Sequence, residues 1–467
     1  MTLSALRKSS LMRRIGLLLC CVLSALALAT AGAQAAPSSN DIRQVASQYV
    51  TTFYPAWFYH SQLALTRPNR LIGPRQVTPI YHAIVAINVD TLYASAEVDL
   101  SKGPVILTVP RATSSYSLLN LDLYGDIFTT SVPSHGSAGD PSVTYQLVGP
   151  RWRGTRAIAG ATLVRVPLTR SLWVFRADKH ASTGEDTTAQ AELFRRGVRI
   201  QPLVKYRLNP SGGATNIVSE AFFALPFKQA ADGLLTYAPI PFLTQLRKAV
   251  HTRGWRPTTA GQRVLSVRFD RIFRQRSRAR VRAALATGAR TAHAALNDNY
   301  LNNTDVNNWI SFTNIGHWGT NYLDRASITE YIQVGNGLPT AAYYHAFKDG
   351  TGVALDGSAH SYVLTFPADN LPQTTRFWSL TAYLPESIEL VPNAARKYAV
   401  GSYTDGLVKG GDGSISIYLS PTLPAGVPET NWLPVPDGPF NVMLRNYGPT
   451  GGAQNGDYVP PAIATTS

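Results

Sequence analysis

Short extended runs separated by turn residues occupy both ends of this 467-residue chain, and they constrain its fold more than any other feature. Residues 92–98, 105–109, 116–124, 143–148, 161–166 and 172–176 are rich in β-branched and aromatic residues, with Pro, Gly and Ser between them. That rhythm predicts an antiparallel sandwich or barrel-like sheet, not a βαβ unit. It returns at 362–366, 377–383, 415–419 and 440–447. In the third of these late runs Ile415, Ile417 and Leu419 face one way and Ser414, Ser416 and Tyr418 the other.

The middle of the chain has helical periodicity instead. Residues 188–196, 221–235, 241–251, 271–296 and 320–334 read as helices, the fourth with Val281, Leu285, Ala289, Ala292 and Leu296 on one face. Gly288 interrupts that pattern. An earlier helix is expected over 41–54, with Ile42, Val45, Tyr49 and Phe53 on one side, and Pro55 should end or kink it. The fold class is therefore α+β, mainly β. We expect a β-sandwich-like N-terminal domain at 36–180, a mainly helical segment at 181–340, a C-terminal β domain at 341–450 and a disordered tail at 451–467.

The first 35 residues read as a signal peptide. Arg7, Lys8, Arg13 and Arg14 precede an apolar stretch at 15–28, and Ala33-Gln34-Ala35 suits cleavage after Ala35. A secreted or periplasmic protein without a transmembrane anchor is expected. Both cysteines, Cys20 and Cys21, lie in that segment. Cleavage would thus exclude disulfides, thiolate nucleophiles and Cys-ligated zinc. The formal charge of +15 falls by the four signal cations to +11. A basic surface favours an anionic small molecule or acidic glycan, while the absence of long Lys/Arg runs argues against specific nucleic-acid binding.

Polar residues on the N-terminal runs supply the candidate chemistry. If 116–124 is one strand, Asn120, Asp122 and Tyr124 share a face, with Asp126 just beyond and Asn88 and Asp90 ahead of a neighbouring strand. Asn88, Asp90, Asp122 and Asp126, with His82, are expected to ligate a divalent cation such as Mg²⁺, Ca²⁺ or Mn²⁺. Asp90 and Asp122 would be catalytic, with Arg176 gripping an anionic substrate. The opposing reading makes Asn88 and Asp90 an Asx-turn, pairs Asp122 with a basic side chain and leaves Arg176 as a stacked structural residue. The aromatic set around His317, Trp318, Tyr331, Tyr343, Tyr344 and His345 reads as a pocket lining or as packing. No nucleophile elbow, P-loop or zincin motif is present, and no haem, flavin or nicotinamide cofactor is expected.

Two segments carry a resemblance. Asn88-Val-Asp-Thr-Leu-Tyr, Asp99-Leu-Ser-Lys-Gly-Pro-Val and Leu121-Asp-Leu-Tyr-Gly-Asp126 resemble the domain of unknown function numbered 1254. Tyr362-Val-Leu-Thr-Phe-Pro, Phe377-Trp-Ser-Leu-Thr, Gly411-Asp-Gly-Ser-Ile and Pro439-Phe-Asn-Val resemble its companion, numbered 1214. The resemblance implies a jelly-roll-like C-terminal domain, export and a homo-oligomer, but no reaction. Val89 stands where the family pattern has a second Asn. Two functions fit: a hydrolase, metal-assisted and acting on an anionic small molecule such as a phosphoester, or a non-catalytic envelope protein binding a ligand, glycan or partner.

Overall fold

The computed structural model describes residues 37–466 except 65, 220–225, 253, 255, 256 and 258. The expected signal peptide and residues 221–225 of the second middle helix lie outside the described residues.

Helix α1 (Ser39–Leu63) opens the fold. Ser38 and Asp41 form a reciprocal capping box at its start, satisfying donors that the first turn leaves unpaired. Strands β1 (Ile72–Pro74), β2 (Thr91–Asp99), β3 (Val105–Val109), β4 (Tyr116–Leu121), β5 (His135–Gly136), β6 (Val143–Val148), β7 (Thr162–Arg165) and β8 (Arg170–Asp178) follow. Next come α2 (Thr188–Gly197), β9 (Arg199–Pro202), α3 (Leu203–Leu208) and β10 (Asn216–Val218). These strands make a six-stranded sheet, β10-β1-β2-β8-β4-β5, and a four-stranded sheet, β7-β6-β3-β9. Val98, Val105, Leu107, Leu118, Trp173 and Phe175 fill the core between them.

The helical segment holds α4 (Phe227–Tyr237), α5 (Pro239–His251), α6 (Ala260–Phe273) and α7 (Ala279–Leu301), then β11 (Trp309–Ile310) and α8 (Tyr322–Tyr331). The C-terminal domain contains β12 (Ala341–Ala346), β13 (Tyr362–Phe366), β14 (Thr374–Tyr383), β15 (Ala399–Gly401), β16 (Ile415–Ser420), β17 (Trp432–Pro434) and β18 (Asn441–Pro449). Helix α9 (Gly451–Asn455) and β19 (Ile463–Thr465) complete it. Its sheets run β11-β12-β18-β14-β15 and β17-β16-β13-β19 around Leu364, Leu380, Ile417 and Leu444. The α+β, β-rich reading holds.

One apolar cluster joins the layers. It runs from Val45, Tyr49 and Phe53 of α1 through Leu285 and Leu296 of α7 to Leu119 and Leu121 of β4, and to Tyr383 and Met443 of the C-terminal sheet. The helices therefore pack under both sandwiches.

Four local expectations change. Pro55 sits inside α1 without ending it, because residues 52–59 are all buried and their packing offsets the missing hydrogen bond. Gly288 strengthens α7's packing: a Cβ there would lie 2.3 Å from the Arg43 carbonyl oxygen and 2.8 Å from the Ala46 Cβ of α1. Strand β4 stops at Leu121 rather than 124. The Asp122 carboxylate accepts the N–H groups of Tyr124 (2.8 Å) and Asp126 (2.9 Å), building a turn around Gly125 (φ 86). The expected disordered tail is ordered instead, since β19 pairs with β13 and the indole of Trp309 donates to the Pro461 carbonyl.

Candidate functional site: the seam between the β domains

Asp90 lies at the head of β2 and is wholly buried. Asn88 fixes its backbone, because the Asn88 Oδ1 accepts the N–H groups of Asp90 and Thr91, each at 3.0 Å. This is the Asx-type turn of the opposing reading. Asp90 then reaches into the C-terminal domain. Its Oδ2 accepts Ser379 Oγ of β14 (2.7 Å) and the Tyr447 hydroxyl of β18 (2.9 Å), and its Oδ1 accepts the Tyr403 hydroxyl (2.5 Å). Three neutral donors satisfy one buried carboxylate, as a buried charge requires.

A second bridge runs parallel to the first. Asp178 ends β8 and pairs in register with Thr91. Its carboxylate takes Nε (2.7 Å) and Nη2 of Arg376 in a fork-to-fork contact. Burial raises the Asp178 pKa to about 6, with Arg376 opposing and Asp90 adding to the rise. The guanidinium also sits 5.8 Å from the Tyr447 ring centroid. Two residues on, the His180 ring stacks on Tyr403 at 3.6 Å and 2°. Burial lowers the imidazole's pKa, with Lys179 adding to the effect and Asp90 opposing it.

A cleft opens beside these bridges as two hollows of about 1030 and 390 Å³. Both reach His180, Ser182, Thr375 and Arg376. The larger has a hydroxyl-rich wall with Thr183, Thr374, Ser402 and Thr404, together with Trp378, Tyr403, Glu185 and Asp405. Among the described residues, the Arg376 Nη1 and the His180 ring nitrogens form no hydrogen bond.

The expected metal set does not assemble. Asp122 is spent on its turn, and Asp126 pairs with Arg325 at 2.9 Å. Burial first, then Asp126, raises the Asp122 pKa to about 6. His82 contacts Glu389 of the C-terminal domain at 2.5 Å. Asp90 faces tyrosines. The expected substrate-gripping Arg176 is buried: it donates to Asn336 Oδ1 (2.7 Å) and the Val334 carbonyl (2.6 Å), and lies 5.4 Å from the Tyr93 ring centroid. It holds the helical segment to β8. The aromatic set is packing, with Tyr300 stacked on Tyr331 at 4.0 Å and bonded to His345 at 2.8 Å.

Among the described residues, one group of three acid or imidazole side chains lies within metal-ligating reach: Asp232, His293 and Glu330. Lys228 already supplies positive charge there, 2.7 Å from Asp232 and 3.4 Å from Glu330. Burial opposes charge on His293, but its contacts with Asp232 and Glu330 outweigh this and raise its pKa to about 9. Burial raises the Glu330 pKa, with Lys228 opposing the rise, so cations already occupy the reach of this group's carboxyls.

Sequence reasoning missed Asp178, His180, Arg376, Ser379 and Tyr403. Strand parity gave one usable signal, since Arg176 and Asp178 point from the same face of β8.

Two β-sandwiches bolted together over a helical layer, with a cleft at their seam, define the class of this protein. The chain carries a DUF1254 domain followed by a DUF1214 domain: residues 68–202 and 340–451 match the models of these families, each described as a protein of unknown function. The crystal structure of the VPA0106 protein from Vibrio parahaemolyticus is 20% identical and covers 91% of this chain and 100% of its own, with a TM-score of 0.57, so the fold is shared. An uncharacterized protein from Burkholderia cenocepacia is 14% identical over 91% of this chain and 93% of its own, with a TM-score of 0.42. No curated protein matches the chain. Among the described residues, no helix is long and apolar enough to cross a membrane.

Proposed function

We propose that this is an exported protein that binds a glycan or similar polyhydroxylated ligand in the cleft between its β domains without turning it over. The observation that carries the reading is the pair of unused donors, Arg376 Nη1 and the His180 imidazole, on the wall common to both hollows. Threonine and serine hydroxyls around them suit a ligand that is itself rich in hydroxyls, and Glu185 and Asp405 supply acceptors. Signs of charge are mixed along this wall, which favours a neutral ligand over an anion. Export rests on the basic and apolar pattern of residues 1–35.

The hydrolase reading depends on Asp90 and Asp122 meeting at a metal, and their partners lie in different places. One experiment separates the two. The mature protein is titrated calorimetrically against a panel of neutral oligosaccharides and assayed with phosphoesters in the presence of Mg²⁺ and Mn²⁺. Saturable saccharide binding, weakened about tenfold or more by Arg376→Gln or His180→Ala, supports the binding reading. Phosphoester turnover abolished by Asp90→Asn overturns it in favour of a hydrolase. Absence of any saccharide binding also overturns it.

A further inference from the structure

The N-terminal domain holds a separate hollow of about 650 Å³. The β2–β3 turn contributes Asp99 and Ser101, the loop after β6 contributes Arg151 and Trp152, and the start of β8 contributes Arg170. Its charged lining is Arg151, Arg170 and Asp99, and between Pro141 and Ala177 the chain contains no acidic residue.

The two acids nearest the hollow are already used. Asp99 Oδ1 accepts the Ser101 N–H at 2.8 Å, closing the turn. Glu97 pairs with Arg170, and burial raises the Glu97 pKa against that pairing. Arg151 is exposed and forms no ion pair among the described residues. Its loop is nevertheless held in place. Arg165 Nη2 donates to the Gly154 carbonyl at 2.9 Å, and the buried Gln146 accepts the Ile158 N–H at 2.9 Å. A preformed loop lowers the ordering cost of binding.

We infer that this hollow binds the oxyanion of a small phosphate or sulfate ester. Arg151 takes the oxyanion through its planar guanidinium, which matches two oxygens at once. Ser101 adds a hydroxyl, and the half-buried Trp152 ring lies under the ester's organic body. The size of the hollow fits a monosaccharide-scale ligand rather than a polymer.

The test is calorimetric titration of the mature protein carrying Arg376→Gln, which weakens saccharide binding in the interdomain cleft, with glucose 6-phosphate, glucose 6-sulfate and glucose. Either ester, or both, should bind while glucose does not, and the two ester titrations tell phosphate from sulfate. Adding Arg151→Glu should weaken ester binding about tenfold or more, and moving from about 20 to about 200 mM salt should weaken it several-fold. Failure of both esters to bind saturably, or ester affinity unchanged by Arg151→Glu, overturns the inference. Because Arg151 lines this hollow and not the interdomain cleft, the Arg151→Glu response is independent of the saccharide reading above.

Discussion

The Tyr403 hydroxyl donates to the Asp90 carboxylate at 2.5 Å across the boundary between the two β domains. These residues lie 313 positions apart. With Ser379 and Tyr447, that contact makes the Asn88–Asp90 signature a bolt rather than a metal ligand.

Asp90→Asn should therefore act first on stability. The amide would turn a buried donor toward hydroxyls that now donate. A loss of about 2–4 kcal/mol is expected, and Tyr403→Phe should cost about 1–2 kcal/mol. Urea unfolding of each variant measures both. Wild-type stability in Asp90→Asn would dismiss the bolt.

Asp178 gives a pH signature. Its folded pKa, about 6, lies above that of an unfolded aspartate. Its ionised form is thus disfavoured by folding, so its contribution to stability improves as pH falls from about 6 toward 4. Asp178→Asn should flatten that part of the stability–pH curve, read from thermal unfolding between pH 4 and 7. Asp122 shifts the same way and will leave a residual slope.

His293 acts in the opposite direction. Its folded pKa of about 9 exceeds the unfolded value, so its stabilisation is complete below about pH 6.5 and is lost as pH rises through 9. Lys228, Asp232, Glu330 and Asn297 face it. Wild-type Tm should drop between pH 7 and 9.5, and His293→Asn should be less stable at pH 7 while losing most of that drop.

Gly288→Ala would gain helix propensity of about 1 kcal/mol at an open helix position. Here the new methyl meets the α1 backbone at 2.3 Å. We expect a net destabilisation of about 1–3 kcal/mol, measured by chemical denaturation.

Much of this architecture was legible residue by residue. The extended runs at 105–109 and 362–366 coincide with β3 and β13, because β-branched and apolar residues bounded by turn formers specify strands locally. The single helix expected at 271–296 is instead α6 and α7, broken between Phe273 and Ala279 where neither periodicity nor a proline marks the junction. Asp99 serves the turn between β2 and β3.

The site was legible only in part. Sequence marked Asn88, Asp90, Asp122 and Asp126 as unusual polar residues on a β framework; strand parity placed Asp122 with Asn120 and Tyr124 on one face, with Asp126 just beyond and Asn88 and Asp90 ahead of a neighbouring strand. They form no shared ligand set because each carboxylate takes its own partner: backbone N–H groups for Asp122, a guanidinium for Asp126, tyrosine and serine hydroxyls for Asp90. The sequence alone determined several of the longer strands and helices, the family and the basic balance, all of which are local or compositional. Tertiary structure alone decided that Asp90 meets Tyr403 and that Asp178 meets Arg376. Contacts between residues hundreds of positions apart depend on how whole sheets dock, which no local pattern encodes.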